Sequence, residues 1–144
     1  MIQLFDYKKY WEGVAARVDE VAEAMPVTVD EEMGKRLAAI KAGTVTLFYL
    51  PPAAEASGRP DAFQEDNVCV VFIMKKYDPQ REQTYDVLAD TQKAIEAVKA
   101  TMINDQYNGC PVMRVDLKTI NTLPETEFYR AFAGWSLGFT VKSY

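Results

Sequence analysis

From Val68 to Met74 the chain reads V-C-V-V-F-I-M, apolar at every position. A strand washed by solvent on one side alternates apolar and polar residues, so an unbroken run of this length reads as a strand covered on both faces. The run therefore predicts the middle of a sheet, with something packed above it and something below. Cys69, inside it, reads as a small buried hydrophobe rather than a reactive thiol.

Other segments supply the partners. Thr44 to Leu50, T-V-T-L-F-Y-L, is β-branched and aromatic and stops at Pro51 and Pro52, which predicts a strand. A third strand is expected after the turn N-D-Q-Y-N-G-C-P, where Met113, Val115 and Leu117 alternate with Arg114, Asp116 and Lys118. The loop N-T-L-P-E-T-E-F-Y-R should lead to the last strand, near Gly134 to Val141. Three helices are expected. Trp11, Val14, Val18, Val21 and Met25 recur at helical spacing between Asp6, read as the N-cap, and Pro26. Met33, Leu37 and Ile40 follow a capping-box spacing from Thr28 to Glu31 and end at Gly43. Leu88, Ile95, Val98 and Met102, with Thr91 and Ala94, line a long helix running from the Asp78-Pro79 pair to about Asp105. The fold class read from this order is α+β: a mainly antiparallel four-stranded sheet with helices packed on one face, in the order helix-helix-strand-strand-helix-strand-strand.

At 144 residues this is one domain, 1–144, since a chain of that size buries roughly 70% of its unfolded surface around a single core. The net charge of −5, with Lys and Arg scattered among the acids, disfavours a phosphate-binding footprint, so no specific nucleic-acid partner is expected. The first residues carry no basic start followed by a long apolar run, so neither a signal peptide nor a membrane span is expected, and the cytoplasm is the expected compartment.

The chain contains no histidine, which removes Ser-His-Asp and Cys-His nucleophilic sites and the common zinc sites. Its two cysteines, Cys69 and Cys110, are too few for a disulfide framework. No glycine pattern fits a phosphate loop. The acid pairs Asp19-Glu20, Glu31-Glu32 and Glu65-Asp66 read as a solvated helix face, a helix start and a loop end. No residue is assigned a catalytic, cofactor-binding or metal-binding role, and a carboxylate enzyme is the weakest of the function classes. A binding module with a pocket lined by Trp135, Phe139 and Phe72 is the alternative to a self-assembling protein.

Two features favour assembly. Pro51 to Asp66, P-P-A-A-E-A-S-G-R-P-D-A-F-Q-E-D, carries three prolines and four acids and reads as a mobile arm at 51–66, with Arg59, Phe63, Glu65 and Asp66 as its candidate contacts. In G-W-S-L-G-F-T-V-K, Trp135, Leu137, Phe139 and Val141 form a face to be buried. Gly134, Ser136 and Gly138 form a bare one that invites another backbone, expected to be another subunit's.

The element order, the long hairpin-like arm, the central strand running into Lys75-Lys76-Tyr77-Asp78, the long helix carrying Thr91 and Gln92, and the terminal G-W-S-L-G-F-T-V strand resemble small phage tail-completion or tail-terminator proteins. The resemblance implies a compact α+β subunit that forms a homo-oligomeric ring, often of six copies, at the head-proximal end of a tail. Its implied partners are the tail tube and the head connector, and its implied location is the bacterial cytoplasm or the virion tail. It further implies that the 51–66 arm contacts a neighbouring subunit or the tube.

Overall fold

The computed structural model describes residues 1–28, 31–110, 112–129 and 131–143. They form a single α+β domain with helices α1 (Leu4–Arg17), α2 (Glu31–Ala39) and α3 (Thr84–Tyr107) and strands β1 (Glu23–Pro26), β2 (Val45–Tyr49), β3 (Ala53–Arg59), β4 (Ala62–Lys76), β5 (Val115–Phe128) and β6 (Phe132–Ser143). The sheet is mixed and six-stranded, ordered β1-β2-β4-β6-β5, with β3 beside β4 beyond the end of β2. All pairs are antiparallel except β1 with β2.

The apolar run lies where its pattern placed it. β4 is central, paired with β2 and β3 on one flank and with β6 on the other. Cys69, Val71 and Ile73 belong to a core beneath α1 and α3 that also holds Trp11, Val14, Ile95, Val98, Leu137 and Phe139. Met74, with Phe72 beside it, packs with Phe48 and Phe132 against Met33 and Leu37 of α2 and Ile40 just after it. Successive strand residues point to opposite faces, so α2 covers the face opposite α1 and α3. The expected arrangement with all helices on one face is corrected accordingly: a strand apolar on both sides needs cover on both. Lys76, at the end of β4, fixes α2 by donating to the carbonyls of Leu37, Ala38 and Ile40 at 3.1, 3.1 and 2.7 Å, where carbonyls at a helix C-terminus lack backbone partners and favour a cation.

Several other expectations are also corrected. Two strands were not anticipated. The first helix starts at Leu4, with Asp6 in its first turn, and ends at Arg17 rather than Met25. Val18 and Val21 are still buried, but from a turn, and Glu23–Pro26 then runs parallel beside β2. Pro26 is tolerated because β1 is an edge strand. Residues 29 and 30 of the capping-box stretch lie outside the described residues. α3 begins at Thr84, after a turn in which the Gln80 amide donates to Asp78 Oδ1 at 3.0 Å.

The stretch expected to be a loop before the last strand is the greater part of β5. Between Asp116, opposite Thr140, and Asn121, opposite Gly138, β5 carries extra residues as a bulge. Side chains replace the missing ladder there. Thr119 Oγ1 accepts from the Thr140 amide at 2.8 Å, and Asp116 Oδ1 accepts from the Lys118 amide at 3.2 Å. The bulge breaks the alternation, so Leu117, read as inward, is 49% exposed while Met113 is buried.

Candidate interaction surface

The segment read as a mobile arm is paired strand. Residues Ala53 to Arg59 oppose Val68 to Ala62 in unbroken antiparallel register, closing in a turn at 60 and 61. Gly58 permits that closure: its φ is +89°, and a Cβ there would meet the Ala62 carbonyl oxygen. The side chains of β3 are small or charged, and all but Ser57 are exposed. Neither face of the outer hairpin lies under a helix, which is why the stretch has no hydrophobic period to read.

The base of the hairpin is tied down by buried Asn67. Its Oδ1 accepts from the Ile2 amide at 3.3 Å, and its Nδ2 donates to the Val141 carbonyl at 3.0 Å and Ser143 Oγ at 2.9 Å. Glu65 pairs with the N-terminal amine at 3.2 Å. Of the four candidate residues in this segment, Arg59 and Phe63 sit together at the tip, with Phe63 53% exposed. Glu65 and Asp66 lie at the base, and Asp66 is opposite Lys142 of β6.

The bare face of β6 is occupied from within the chain. A Cβ on Gly134 would run into the Ile73 carbonyl oxygen, with Met74 Cα 3.0 Å away, so the backbone that approaches is that of β4. A Cβ on Gly138 would come within 2.9 Å of Asn121 Nδ2. Ser136 is buried and its hydroxyl donates to Glu125 Oε1 at 3.0 Å. These three residues therefore serve contacts between β6 and its neighbouring strands, and the expectation that another subunit approaches them gives way to that geometry. The pocket expected between Trp135, Phe139 and Phe72 does not form either. Phe139 is buried against Trp11 at 6.0 Å between ring centres, Trp135 Nε1 donates to the Leu88 carbonyl at 3.0 Å, and Phe72 lies on the opposite sheet face.

Two of the grooves among the described residues bear on binding. One, of about 340 Å³, is nearly all apolar and lies between Leu4, Phe5 and Tyr7 of α1 and Pro26, Tyr49 and Pro51. The other, of about 610 Å³, lies between the end of α3 and the start of β5. Its apolar lining includes Ile103, Tyr107 and Leu117, which are 40%, 89% and 49% exposed. None of these three was read from the sequence as an interaction residue, and Leu117 was read as an inward strand residue. Ile103 and Tyr107, four residues apart on the wet face of a helix, are the signal that was there to read.

The perturbed ionisable groups are structural. Arg17 forks onto Asp105 at 2.9 and 2.7 Å, and Tyr10 donates to the same carboxylate at 2.9 Å. The Arg17 hydrogen bonds hold Asp105 below the usual carboxylate range against a smaller opposing effect of burial, the direction opposite to that of a general acid at neutral pH. Burial raises the Tyr10 hydroxyl, and its bond to Asp105 raises it further. Burial pushes the Cys69 thiol up to about 11, which keeps it protonated and inert. Lys75 is partly desolvated, but Asp90 and Glu82, each at 3.1 Å, outweigh that and raise it. Among the described residues no group of three or more His, Cys, Asp or Glu is placed to hold a metal ion, and no helix is long and apolar enough to cross a membrane.

Comparison with known proteins adds no family. No family model matches this chain, and no curated protein sequence matches it.

Proposed function

We propose that this protein is a non-enzymatic, self-assembling structural subunit of a phage, prophage or phage-derived tail, one that forms a homo-oligomeric ring and joins the tail to the head connector as a tail terminator does. The supporting observation is the β3–β4 hairpin. Its outer part, residues 53–66, extends past the end of β2, lies under no helix and carries an exposed aromatic at its tip. A hairpin end that adds nothing to the apolar core of its own domain offers surface to another chain. The sequence resemblance to tail-completion proteins supplies the kind of assembly.

Sedimentation equilibrium over a wide concentration range tests this reading. The expected result is a mass that rises from one subunit to a closed multiple, with rings seen by negative-stain microscopy of the assembled fraction. A chain that stays strictly monomeric into the millimolar range would remove the ring. The alternative, a small module binding an apolar ligand or peptide, is favoured by the apolar groove beside α1. It predicts a monomer whose melting temperature rises with such a ligand.

A further inference from the structure

The hairpin tip and the α3–β5 groove lie on opposite flanks of one sheet. β3 is outermost on one side of β4, and β5 is outermost on the other, beyond β6. Both lie at the same end of the strands: Glu65 is opposite Ser143, Asp66 opposite Lys142 and Val141 opposite Val115, while Lys142 and Val115 line the groove. In one molecule β6 and β5 intervene, roughly 10 Å of sheet at two strand spacings, and the tip is held in its own ladder. A second molecule beside the first, in the same orientation and shifted along the strands by about three residues, roughly 10 Å, brings the tip of one to the groove of the other.

The two surfaces match in chemistry. The tip presents exposed Phe63 on one face of the hairpin, with Arg59 on the other and Asp61 in the turn, both also exposed. The groove presents Ile103, Tyr107 and Leu117, and Arg114, Asp116 and Lys142 are its charged lining. We propose that the hairpin tip of one copy seats in the α3–β5 groove of the next, Phe63 against Ile103, Tyr107 and Leu117, Asp61 facing Lys142 and Arg59 facing Asp116. This proposal rests on the self-assembly reading and names its contact. Because tip and groove are different surfaces, the contact is heterologous: each copy gives one and receives one, and repetition closes into a ring or runs on as a filament. An aromatic anchor in an apolar pocket, with charges at the rim, is the usual arrangement of an interface hot spot.

Two variants divide the contact. Phe63→Ser removes the knob and leaves the groove. Leu117→Asp spoils the groove and leaves the knob. Both residues are substantially exposed, and circular dichroism and melting temperature confirm that the variants fold. Wild type should assemble, and each variant alone should remain monomeric at concentrations at least tenfold above the wild-type midpoint. An equimolar mixture of the two should give a dimer and nothing larger, since only one productive tip–groove pair remains. Assembly of either folded variant as wild type would overturn this contact while leaving self-assembly standing. A mixture that stays monomeric would overturn the heterologous pairing. A wild-type chain that is monomeric throughout would overturn both the contact and the ring.

Discussion

Gly134 is the position where one atom matters most. It lies opposite Met74 in the central ladder, and a methyl group there would meet backbone that cannot rotate away. Gly134→Ala should therefore cost about 3 kcal/mol in a urea titration, as overpacking of a rigid site does. A loss below about 0.5 kcal/mol would show that β4 and β6 can part locally. Gly138 differs, because its neighbour is not backbone but the exposed Asn121 side chain, held by a single hydrogen bond from Nδ2 to the Thr119 carbonyl at 3.3 Å. The Asp105 cluster makes a prediction about pH. Since the folded-state pKa is lowered, the cluster's stabilisation is present above the unfolded value and is lost as pH falls through the folded one. Asp105→Asn should cost about 1 kcal/mol near pH 7, with the gap to wild type closing below about pH 4. An undiminished gap in acid would mean that the variant damages packing rather than an ion pair.

The hairpin is an element whose removal the core should tolerate. Glu55 and Asp66 face each other across it, so residues 56–65 can be replaced by a two-residue Asn-Gly loop, the connection that closes a tight hairpin at directly paired positions. The excised residues belong to none of the buried clusters, and the Asn67 anchor to Ile2, Val141 and Ser143 is kept. The shortened chain should unfold cooperatively with a melting temperature within a few degrees of wild type, and it should no longer associate. A collapse in stability would instead make the hairpin part of the fold's foundation. β5 shows the converse design. It too is an edge strand, but the bulge after Asp116, Lys118 and Pro124 guard it against indiscriminate pairing. A contact beside β5 is thus more readily made by side chains in the groove than by extending the sheet.

In the whole molecule the helices are divided unequally. α1 and α3 cover one face, and α2 alone covers one end of the other. Toward the hairpin that second face thins out, with Val68 44% exposed, and at its β5 edge Leu123, level with Phe72, is 55% exposed. The acids and bases are interspersed elsewhere, on α3 above all, as suits a solvated outer surface. A subunit with different surfaces on its two flanks is suited to head-to-tail association, whereas a twofold dimer would require one surface to match itself.

The sequence by itself determined the α+β class, the central place of β4, the three helices and the two faces of β6, because each of these buries a face and burial leaves a period in the residues. Three things were decided only in three dimensions. Periodicity reports that a residue is buried but not what buries it, so Val18 and Val21 read as helix although a turn carries them and β1 follows. Residues 51–66 have no period because the hairpin buries neither face, and its register is held by backbone hydrogen bonds to which every residue type contributes alike. Leu117 points outward because of the β5 bulge, which Thr119 ties to the Thr140 amide of β6, a strand reached only later in the chain. The division of helices between faces, and the groove that Leu117 shares with Ile103 and Tyr107, follow from contacts between residues distant in sequence, which local pattern does not encode.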